Sequence, residues 1–455
     1  MGAANTIVPD IDQGEAKAFT DPLTGLGNHH RLQERIHSLS AERAADPAPF
    51  TVALVNLDGF KPINDLFGSL AGDEILCQVA HRLKACIPDG AIVTRHDGDE
   101  FAVVLPLIFE QISAERIGNL IKDVLSAPYD LGDRNVRLSA SLGFAIFPFA
   151  GDDFETLMKS AETALYRSKR RGRGQITVYS REIAQEMRRS TQLEQALRNA
   201  IINDAVDTHF QPIVSLVDGK VLGFEALARW IDPDLGFVSP AIFVPLAEDR
   251  GFIDTLSETL LRKAAEAALT WPRELFLSFN LSSVQLTDSG TASRTLSIIN
   301  SVGLDPSRLE LEITETAVMS SADMAGRIIA ELRAAGVRIS LDDFGTGQSS
   351  LGRLREFTFD KVKIDRAFVS AITTDTTSEH IVRAIITMCE GLKLEVVAEG
   401  IETLSEATRL LALGCTMGQG YYFGRPADAM ATLRYLSRQY SDFAARRQTG
   451  PFSGY

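Results

Sequence analysis

Eight β-rich segments alternate with helical ones in the second half of the sequence, and this order limits the folds open to the chain. The first segment begins at His209 and the last ends at Gly424. The segments are, in order, HFQPIVSL, VLGFEALARW, LFLSFNLS, LELEIT, VRISLDDFG, FDKVKID, EVVAEGI and MGQGYYFG. Strands separated by helices are typical of parallel sheets covered by helices, and eight such units predict a (β/α)₈ barrel.

Almost every one of these segments carries a polar, mostly acidic residue at or near its end. The residues are Glu225, Asn280, Glu312, Glu315, Asp342, Asp343, Lys363, Glu399, Glu402 and Gln419. In a barrel the C-terminal strand ends meet at one mouth, so we expect these side chains to share a pocket. Each acid alone would be explained as a helix cap or a surface ion pair. Together, however, so many carboxylates repel one another unless cations neutralise them.

The donor set predicts which cations these would be. Carboxylate and amide oxygens favour Mg²⁺ or Mn²⁺ over zinc, which prefers His or Cys. Two adjacent acids, Asp342 and Asp343, can support two ions about 3.5–4 Å apart, as in phosphoester cleavage. Lys363 either neutralises these acids or contacts the nucleophile or a phosphate oxygen. The residues alone therefore predict a two-metal phosphohydrolase and leave its substrate open.

Length and composition exclude several classes of protein. A chain of 455 residues exceeds what one core usually supports, which predicts two domains. The formal charge of -14 argues against binding a nucleic-acid polymer, and no stretch approaches the ~20 apolar residues of a membrane helix. Because the N-terminus has no signal-peptide pattern, we expect a cytoplasmic protein. The four cysteines, Cys77, Cys86, Cys389 and Cys415, form no CxxC pair and are expected to be buried free thiols.

The first half of the chain predicts a compact α+β sheet domain. Strands are expected at 50–57, at 137–147, in QITVY, and on both sides of an Asp-Gly turn within 91–107. Helices are expected at 64–87, 115–125 and 154–170. Residues 180–200 contain no Gly or Pro and predict a helical connector. We therefore divide the chain into an N-terminal segment (1–17), a sheet domain (18–178), a helical linker (179–198), a barrel (199–442) and a C-terminal tail (443–455).

Eight segments of the second half resemble, in order, the signature motifs of EAL-domain cyclic di-GMP phosphodiesterases. They are FQPIV, EALARW, FNLS, LEITE, DDFGTGQSSL, KIDRAFV, VVAEGIE and QGYYFGRP. The resemblance implies a modified TIM barrel with one antiparallel strand. It also implies that two Mg²⁺ or Mn²⁺ ions are bound and that cyclic di-GMP is hydrolysed to linear pGpG.

The resemblance also implies a role for each matching residue. The implied metal ligands are Glu225, Asn280, Glu312, Asp342 and Asp343, with Glu399 and Gln419 completing the shell of metal and water. Lys363 would position or activate the water, with Glu225 and Glu399 as its catalytic partners. Gln211 and Arg229 would contact the substrate, while Glu315 and Glu402 would be supporting residues. Gln348 departs from the family, which usually has an aromatic residue there, and this bears on loop packing or dimer contacts.

Residues 18–178 resemble GGDEF-type diguanylate cyclases, which have a ferredoxin-like or cyclase-like α+β sheet. The matching segments are DPLTGLGN, NLDGFKPINDLFGSLAGD, RHDGDEF, SLGFA and KRRGRG. The resemblance implies that Asn64 and Asp73 grip a guanine base, that Asp99 is a metal ligand and that Glu100 is the catalytic acid. Lys169 and Arg173, about one helical turn apart, could hold phosphates.

Two departures argue against cyclisation in this domain. Asn56 replaces an Asp that normally ligates metal, and Asp97 replaces the first Gly of the signature turn. A carboxylate at position 97 would crowd and repel a triphosphate. Ser69 and Gly174 also depart from the usual His and Asn.

The leading hypothesis is therefore an active EAL phosphodiesterase, expected to be a homodimer, that follows a degenerate GGDEF domain with GTP as an effector. The alternatives are a catalytically silent cyclic di-GMP receptor, a bifunctional cyclase and phosphodiesterase, and a two-metal phosphohydrolase of other specificity. His29, His30 and His96 lack further metal ligands at helical or strand spacing, so surface or turn histidines are expected there.

Overall fold

The computed structural model describes residues 18–41, 49–106, 108–132, 134–344 and 357–448. The chain divides into two compact units, Met1–Gln192 and Leu193–Tyr455. Gln348, the N-terminal segment and residues 449–455 of the predicted tail lie outside the described residues.

The first unit is an α+β sheet domain, as predicted. Its helices α1 to α5 are His29–Ala41, Phe60–Phe67, Ser69–Cys86, Gln111–Leu125 and Phe154–Arg170. Its strands β1 to β7 are Phe50–Asp58, Ile92–Asp97, Glu100–Leu105, Tyr129–Asp130, Asn135–Val136, Ser139–Phe147 and Ile176–Val178. Five strands form a sheet in the order β2-β3-β1-β6-β7, and β4 pairs with β5.

The central strand of this sheet, β1, is buried over its whole length. Ala53 and Val55 belong to one apolar cluster, and Val52 and Leu54 belong to another. Since successive side chains of a strand point to opposite faces, both faces of this sheet are covered. This explains why FTVALVNL reads as a continuous apolar run.

One predicted element of the first unit is wrong. The helix expected over 64–87 is two helices, α2 and α3, which meet at Gly68. The backbone of Gly68 has φ 85° and ψ 162°, which a residue with a side chain rarely adopts. The glycine therefore separates the two helices, although the apolar periodicity continues from α2 into α3.

A single helix, α6 (Arg181–Ile202), follows β7 where the helical connector was predicted. Two contacts link it to α5 within the first unit. Arg167 forms an ion pair with Glu186 at 2.7 Å, and the guanidinium of Arg170 donates to the Ser190 hydroxyl at 2.8 Å.

The second unit is an eight-stranded barrel. Its strands β8 to β16 are Val206–Ser215, Val221–Asp232, Gly236–Val238, Phe276–Asn280, Leu309–Thr314, Arg338–Phe344, Lys361–Ile364, Glu395–Ala398 and Met417–Gln419. Its helices α7 to α15 are Pro240–Asp249, Ile253–Leu269, Thr291–Val302, Glu315–Ser320, Ala322–Ala334, Arg366–Ser370, Thr376–Leu392, Leu404–Ala412 and Ala429–Gln448.

The ring of strands closes through β8, which is antiparallel to both β9 and β16. From β9 through β11 to β16 the neighbouring strands are parallel, and β10 lies outside the ring as an antiparallel extension of β9. The predicted modified barrel with one antiparallel strand is therefore confirmed.

The burial of the cysteines and the lengths of the apolar helices can be read from the structure. All four cysteines are free, as expected, but Cys77 is exposed and Cys86 is only half-buried, so the expectation of buried thiols holds only for Cys389 and Cys415. Among the described residues, no helix has both the length and the apolar character needed to cross a membrane.

A buried ion pair lies inside the barrel at the start of its strands. The Lys361 ammonium on β14 is 2.7 Å from the Glu310 carboxylate on β12, and each side chain is only 1% exposed. The ammonium also lies 4.1 Å from the centre of the Phe276 ring. Because β13 separates β12 from β14, this contact crosses the barrel interior.

We expect Lys361→Met to destabilise the barrel by about 3–5 kcal/mol, because the buried carboxylate of Glu310 loses its close partner and keeps only the Arg338 guanidinium, at 3.8 Å. The double variant Lys361→Met with Glu310→Leu should recover most of this loss, since it removes both charges. Both tryptophans, Trp230 and Trp271, lie in the second unit, so tryptophan fluorescence during urea unfolding follows the barrel alone.

The matched control is Lys220→Met, which breaks the exposed ion pair with Asp218. It should change the same transition by no more than about 1 kcal/mol. Equal effects of the two lysine substitutions would contradict the assignment.

Candidate active site

The polar residues predicted to converge on the barrel mouth do so. Glu225 lies on β9, Asn280 ends β11, Glu312 lies on β12, Asp342 and Asp343 lie on β13, Lys363 lies on β14, Glu399 directly follows β15, and Gln419 ends β16. These strands are consecutive around the ring, so their C-terminal ends bring the side chains together.

Lys363 lies at the centre of the carboxylates and is 1% exposed. Its ammonium is 2.5 Å from a carboxylate oxygen of Glu312 and 2.5 Å from one of Glu399. Oxygens of Glu225 and Asp342 are more distant, at 3.6 and 3.9 Å. One buried cation is thus shared by four acids.

Amide side chains complete the arrangement around Glu225. Asn280 donates to one carboxylate oxygen at 2.7 Å, and Gln419 donates to the other at 2.6 Å. The Gln419 amide nitrogen also lies 3.1 Å from the Gln211 side-chain oxygen, and Gln211 in turn donates to the Gly424 carbonyl at 3.1 Å. Both oxygens of Glu225 are therefore held in fixed positions.

The pKa values show how crowded the negative charge is. Burial raises the pKa of Glu312 well above its usual range, and the Glu225 carboxylate adds to the rise. Burial likewise raises the pKa of Glu399 to about 8, against the opposing effect of Lys363. Burial alone would lower the pKa of Lys363, but the surrounding carboxylates raise it well above its ordinary value.

Glu225 behaves differently from its neighbours. Burial works to raise its pKa, but Lys363 and the hydrogen bonds from Gln419 and Asn280 hold the pKa below the usual value. Glu312 and Glu399 are therefore harder to ionise than Glu225. A divalent cation would favour their ionised forms, because it offers the same carboxylates a stronger positive charge.

The residues present fit a group of oxygen-ligated cations. The side-chain oxygen of Gln419 is buried and has no hydrogen-bond partner, which leaves an acceptor free beside Glu225. Asp343, with φ 56°, extends the acid cluster toward solvent. In the described part of the chain, no three acid or His side chains are arranged as a formed metal site, since the Lys363 ammonium occupies the space between the carboxylates.

Three other predicted residues lie at the margin of the cluster. Glu402 pairs with Arg366 at 2.6 Å, and Glu315 begins α10 directly after β12. Arg229 is half-buried and donates to the carbonyl of its neighbour Ala228. Burial lowers the pKa of Arg229, while Tyr421 and Glu225 oppose that effect.

Two cavities meet the acid cluster. One of about 240 Å³ is bounded by Gln211, Glu225, Arg366, Glu399 and Tyr421. A second, mostly apolar cavity of about 740 Å³ reaches Asn280 and Asp342, and its lining includes Val244 and Leu256.

Sequence reasoning missed Ser278, which lies two residues before Asn280 on β11. Its hydroxyl is fully buried and donates to Glu312 at 2.5 Å, on the oxygen that Lys363 does not contact. Strand alternation could have found it, because residues two apart on a strand share a face.

In the first unit, two side chains lie close to Glu100, where the family resemblance implies a metal ion. Asn56 donates to its carboxylate at 3.3 Å, and Lys169 lies 3.5 Å away. Asp97 ends β2 and Asp99 lies in the turn before β3. The Asn64 side-chain oxygen is buried without a hydrogen-bond partner, while Asp73 lies on α3 and Arg173 follows α5.

His29 and His30 are exposed, as expected of surface histidines. The structure also brings His29 and His96 side by side, which the sequence did not predict. Their 67-residue separation hid this contact from any local spacing rule.

The EAL domain model matches residues 194–426, slightly more than half of the chain, and the model for the diguanylate cyclase GGDEF domain matches residues 18–175. The chain belongs to the EAL domain family. In this protein the EAL domain follows a GGDEF domain, and the fold expected of that tandem is confirmed.

Two curated relatives match both domains. An uncharacterized signaling protein of Caulobacter vibrioides is 39% identical over 90% of this chain and 51% of its own length. The cyclic di-GMP phosphodiesterase NbdA of Pseudomonas aeruginosa is 34% identical over 95% of this chain and 56% of its own length. The chain thus spans only about half the length of these relatives.

A solved structure, the PaMucR phosphodiesterase in complex with c-di-GMP, matches the EAL domain. It is 37% identical, covers 53% of this chain and 99% of its own, and has a TM-score of 0.51.

We expect Ser278→Ala to weaken Mn²⁺ binding at this site by about 10–100-fold, as is typical when a group that orients a ligand is removed. The physical reason is that Glu312 loses the hydrogen bond that fixes one of its oxygens. Isothermal titration of the full chain with Mn²⁺ measures the change.

Ser340→Ala provides the matched control. Ser340 is also a fully buried serine of the barrel, on β13, but its hydroxyl has no hydrogen-bond partner. An equal loss of affinity in both variants would mean that Ser278 acts through packing and not through Glu312.

Proposed function

We propose that the EAL domain hydrolyses cyclic di-GMP to linear pGpG with two Mg²⁺ or Mn²⁺ ions. The observation that carries this proposal is the set of four carboxylates, from Glu225, Glu312, Asp342 and Glu399, that surrounds Lys363 at the barrel mouth. Such a concentration of acids is stable only with compensating positive charge. A phosphodiester bound there would require that charge as well.

The assigned ligands are Glu225, Asn280, Glu312, Asp342 and Asp343, with Glu399 and Gln419 completing the shell. When bound, the ions would lower the pKa of a water molecule and stabilise the oxygen that leaves phosphorus. The adjacent acids Asp342 and Asp343 suit the binding of two ions side by side. The side-chain oxygen of Gln419, which has no hydrogen-bond partner, offers a further neutral metal ligand.

The protein's own side chains supply the remaining steps. Glu399 is a suitable proton acceptor, because a carboxyl group with a pKa of about 8 exchanges protons readily near neutral pH. Lys363 contacts Glu399 directly, so it stabilises the ionised form of that acceptor and orients it. The mostly apolar cavity beside Asn280 offers surface for a guanine base, and Gln211 lines the smaller cavity. The assignment of Arg229 to the substrate rests on the family resemblance.

We further propose that the GGDEF domain does not synthesise cyclic di-GMP but binds GTP as an effector. The Asn56 amide already donates to Glu100, which leaves this acid with neutral and cationic neighbours in place of a second carboxylate. By contrast, Asn64 and Asp73, which the family resemblance assigns to guanine, are both present in this chain. These observations favour binding without turnover. A homodimer and a cytoplasmic location stay predictions.

We expect Glu225→Ala and Asp342→Ala each to abolish cyclic di-GMP hydrolysis, because each removes a ligand of the ions. Chromatography of the products separates pGpG from substrate, and EDTA should have the same effect as the substitutions, reversed by Mg²⁺ or Mn²⁺. Binding without hydrolysis by the wild-type protein would instead identify a receptor, and turnover of other phosphodiesters alone would identify a different phosphohydrolase.

The matched control is Glu395→Ala. Glu395 begins β15, the strand after which Glu399 lies, but it is exposed and far along the strand from the barrel mouth. Its substitution should leave hydrolysis unchanged, whereas a loss equal to that of Glu225→Ala would contradict the assignment.

We expect GTP to change the apparent affinity for cyclic di-GMP several-fold and to remain unconverted. Coupling between two sites is typically worth about 1–3 kcal/mol, and it requires that GTP bind two conformations unequally. Arg167 and Arg170 lie on α5, the helix that carries Lys169, and both contact α6, the connector. These contacts offer a route by which GTP binding could affect α6. The measurement is a GTP titration in the phosphodiesterase assay.

The control for this titration is the double variant Asn64→Ala with Asp73→Ala, which should lose the GTP effect and keep basal hydrolysis. No effect on the wild type, or equal effects on both proteins, would leave the domain as a dimerisation or folding element. Formation of cyclic di-GMP from GTP would show that Asn56 still serves as a metal ligand.

A further inference from the structure

Two histidines that the proposed function does not use face each other in the first unit. His29 begins α1, and His96 lies near the end of β2. The Nδ1 atom of one ring lies 3.3 Å from the Nδ1 atom of the other. The elements that carry them are joined at the backbone, because the Arg95 amide donates to the Gly27 carbonyl at 2.8 Å.

The 3.3 Å distance between the two nitrogens allows a hydrogen bond and also suits a shared cation. Hydrogen bonds from nitrogen to oxygen are usually 2.7–3.2 Å long, so a hydrogen bond here would be a long one. Two imidazole nitrogens that bind one tetrahedral ion at about 2.0–2.1 Å are themselves about 3.3 Å apart. The pair therefore has the separation of two ligands of one metal ion.

Both rings are available for such a role. The orientation of the His29 ring is restricted by an edge-to-face contact with Phe154, whose ring centre lies 5.6 Å away. His29 is exposed and His96 is partly exposed, which leaves room for an ion and its water molecules.

We propose that His29 and His96 chelate a transition-metal ion through their Nδ1 atoms, with water completing the coordination. Imidazole ligands favour Cu²⁺, Ni²⁺ and Zn²⁺ over Mg²⁺ and Mn²⁺, so this site and the oxygen-rich barrel site select different ions. The N-terminus of α1 disfavours a nearby cation modestly, which further selects ions with a high affinity for imidazole.

Such an ion would tie the start of α1 to the end of β2. Asp97, the residue that replaces the first Gly of the signature turn, directly follows His96. Binding of the ion would therefore restrain the degenerate turn without involving any residue assigned to GTP or to the barrel site.

The test is Cu²⁺ electron paramagnetic resonance of the full chain in saturating Mg²⁺, which keeps the oxygen-rich site occupied. Wild-type protein should bind one equivalent of Cu²⁺ with the hyperfine pattern of two imidazole nitrogens. Removing a group that only orients a ligand already costs 10–100-fold in affinity, so His29→Ala and His96→Ala should each weaken Cu²⁺ binding by about tenfold or more.

Two further variants separate a ligand from a structural residue. His30→Ala removes a neighbouring exposed histidine, whose ring centre lies 6.2 Å from that of His29, and should leave Cu²⁺ binding unchanged. His29→Gln keeps a side chain that can hydrogen-bond with His96 but is a poor Cu²⁺ ligand, so it should behave like His29→Ala while retaining the wild-type thermal unfolding curve.

The outcomes that would overturn the proposal are equally definite. They are a Cu²⁺ spectrum without nitrogen coupling, equal binding by the wild type and the His96→Ala variant, or a loss in His30→Ala as large as that in His29→Ala. Wild-type Cu²⁺ affinity in His29→Gln would also overturn it, since the pair would then be only a hydrogen bond.

Discussion

The barrel depends on the compensation of buried charge around Lys363. Four carboxylates converge on one ammonium that is almost completely buried, and neither the acids nor the lysine would be stable there alone. The raised pKa values of Glu312 and Glu399 indicate that the single ammonium does not compensate all of the acids, although the pKa of Glu225 is lowered. The site is therefore organised to accept more positive charge, and this is what links its structure to the proposed chemistry.

Strands β12 and β14, which carry Glu312 and Lys363, hold a second pair of acid and lysine one layer deeper in the barrel. On β12, Glu310 and Glu312 are two residues apart, and on β14, Lys361 and Lys363 are two residues apart, so each strand sends both side chains to the interior. The upper pair has further acids around it and serves the candidate active site. In the lower pair, Lys361 contacts one acid closely and stacks on Phe276. Similar residues thus have different roles because of their depth in the barrel.

The proposal for the GGDEF domain rests on Asn56. At a position where the family resemblance implies a carboxylate, the Asn56 amide donates to Glu100, and it would remove the repulsion that a metal ion relieves. Asn64, which the resemblance assigns to guanine, has a buried side-chain oxygen without a hydrogen-bond partner. The guanine-binding residue is present and the metal-ligand position is changed, and together these are the basis for proposing that the domain binds GTP without turnover.

Local patterns in the sequence determined the order of strands and helices, the (β/α)₈ architecture and the convergence of acids at the barrel mouth. They could do so because alternation, helical periodicity and the common direction of parallel strands are local rules. The break at Gly68 needed the backbone conformation, since the apolar pattern of the two helices is continuous. Lys363 as the centre of the acids, Ser278 as a partner of Glu312, and the pairing of His29 with His96 were decided only by the tertiary structure. Each of these contacts joins residues at least 21 positions apart. Which atoms meet across a barrel or between a helix and a strand depends on strand register and packing, which no local pattern encodes.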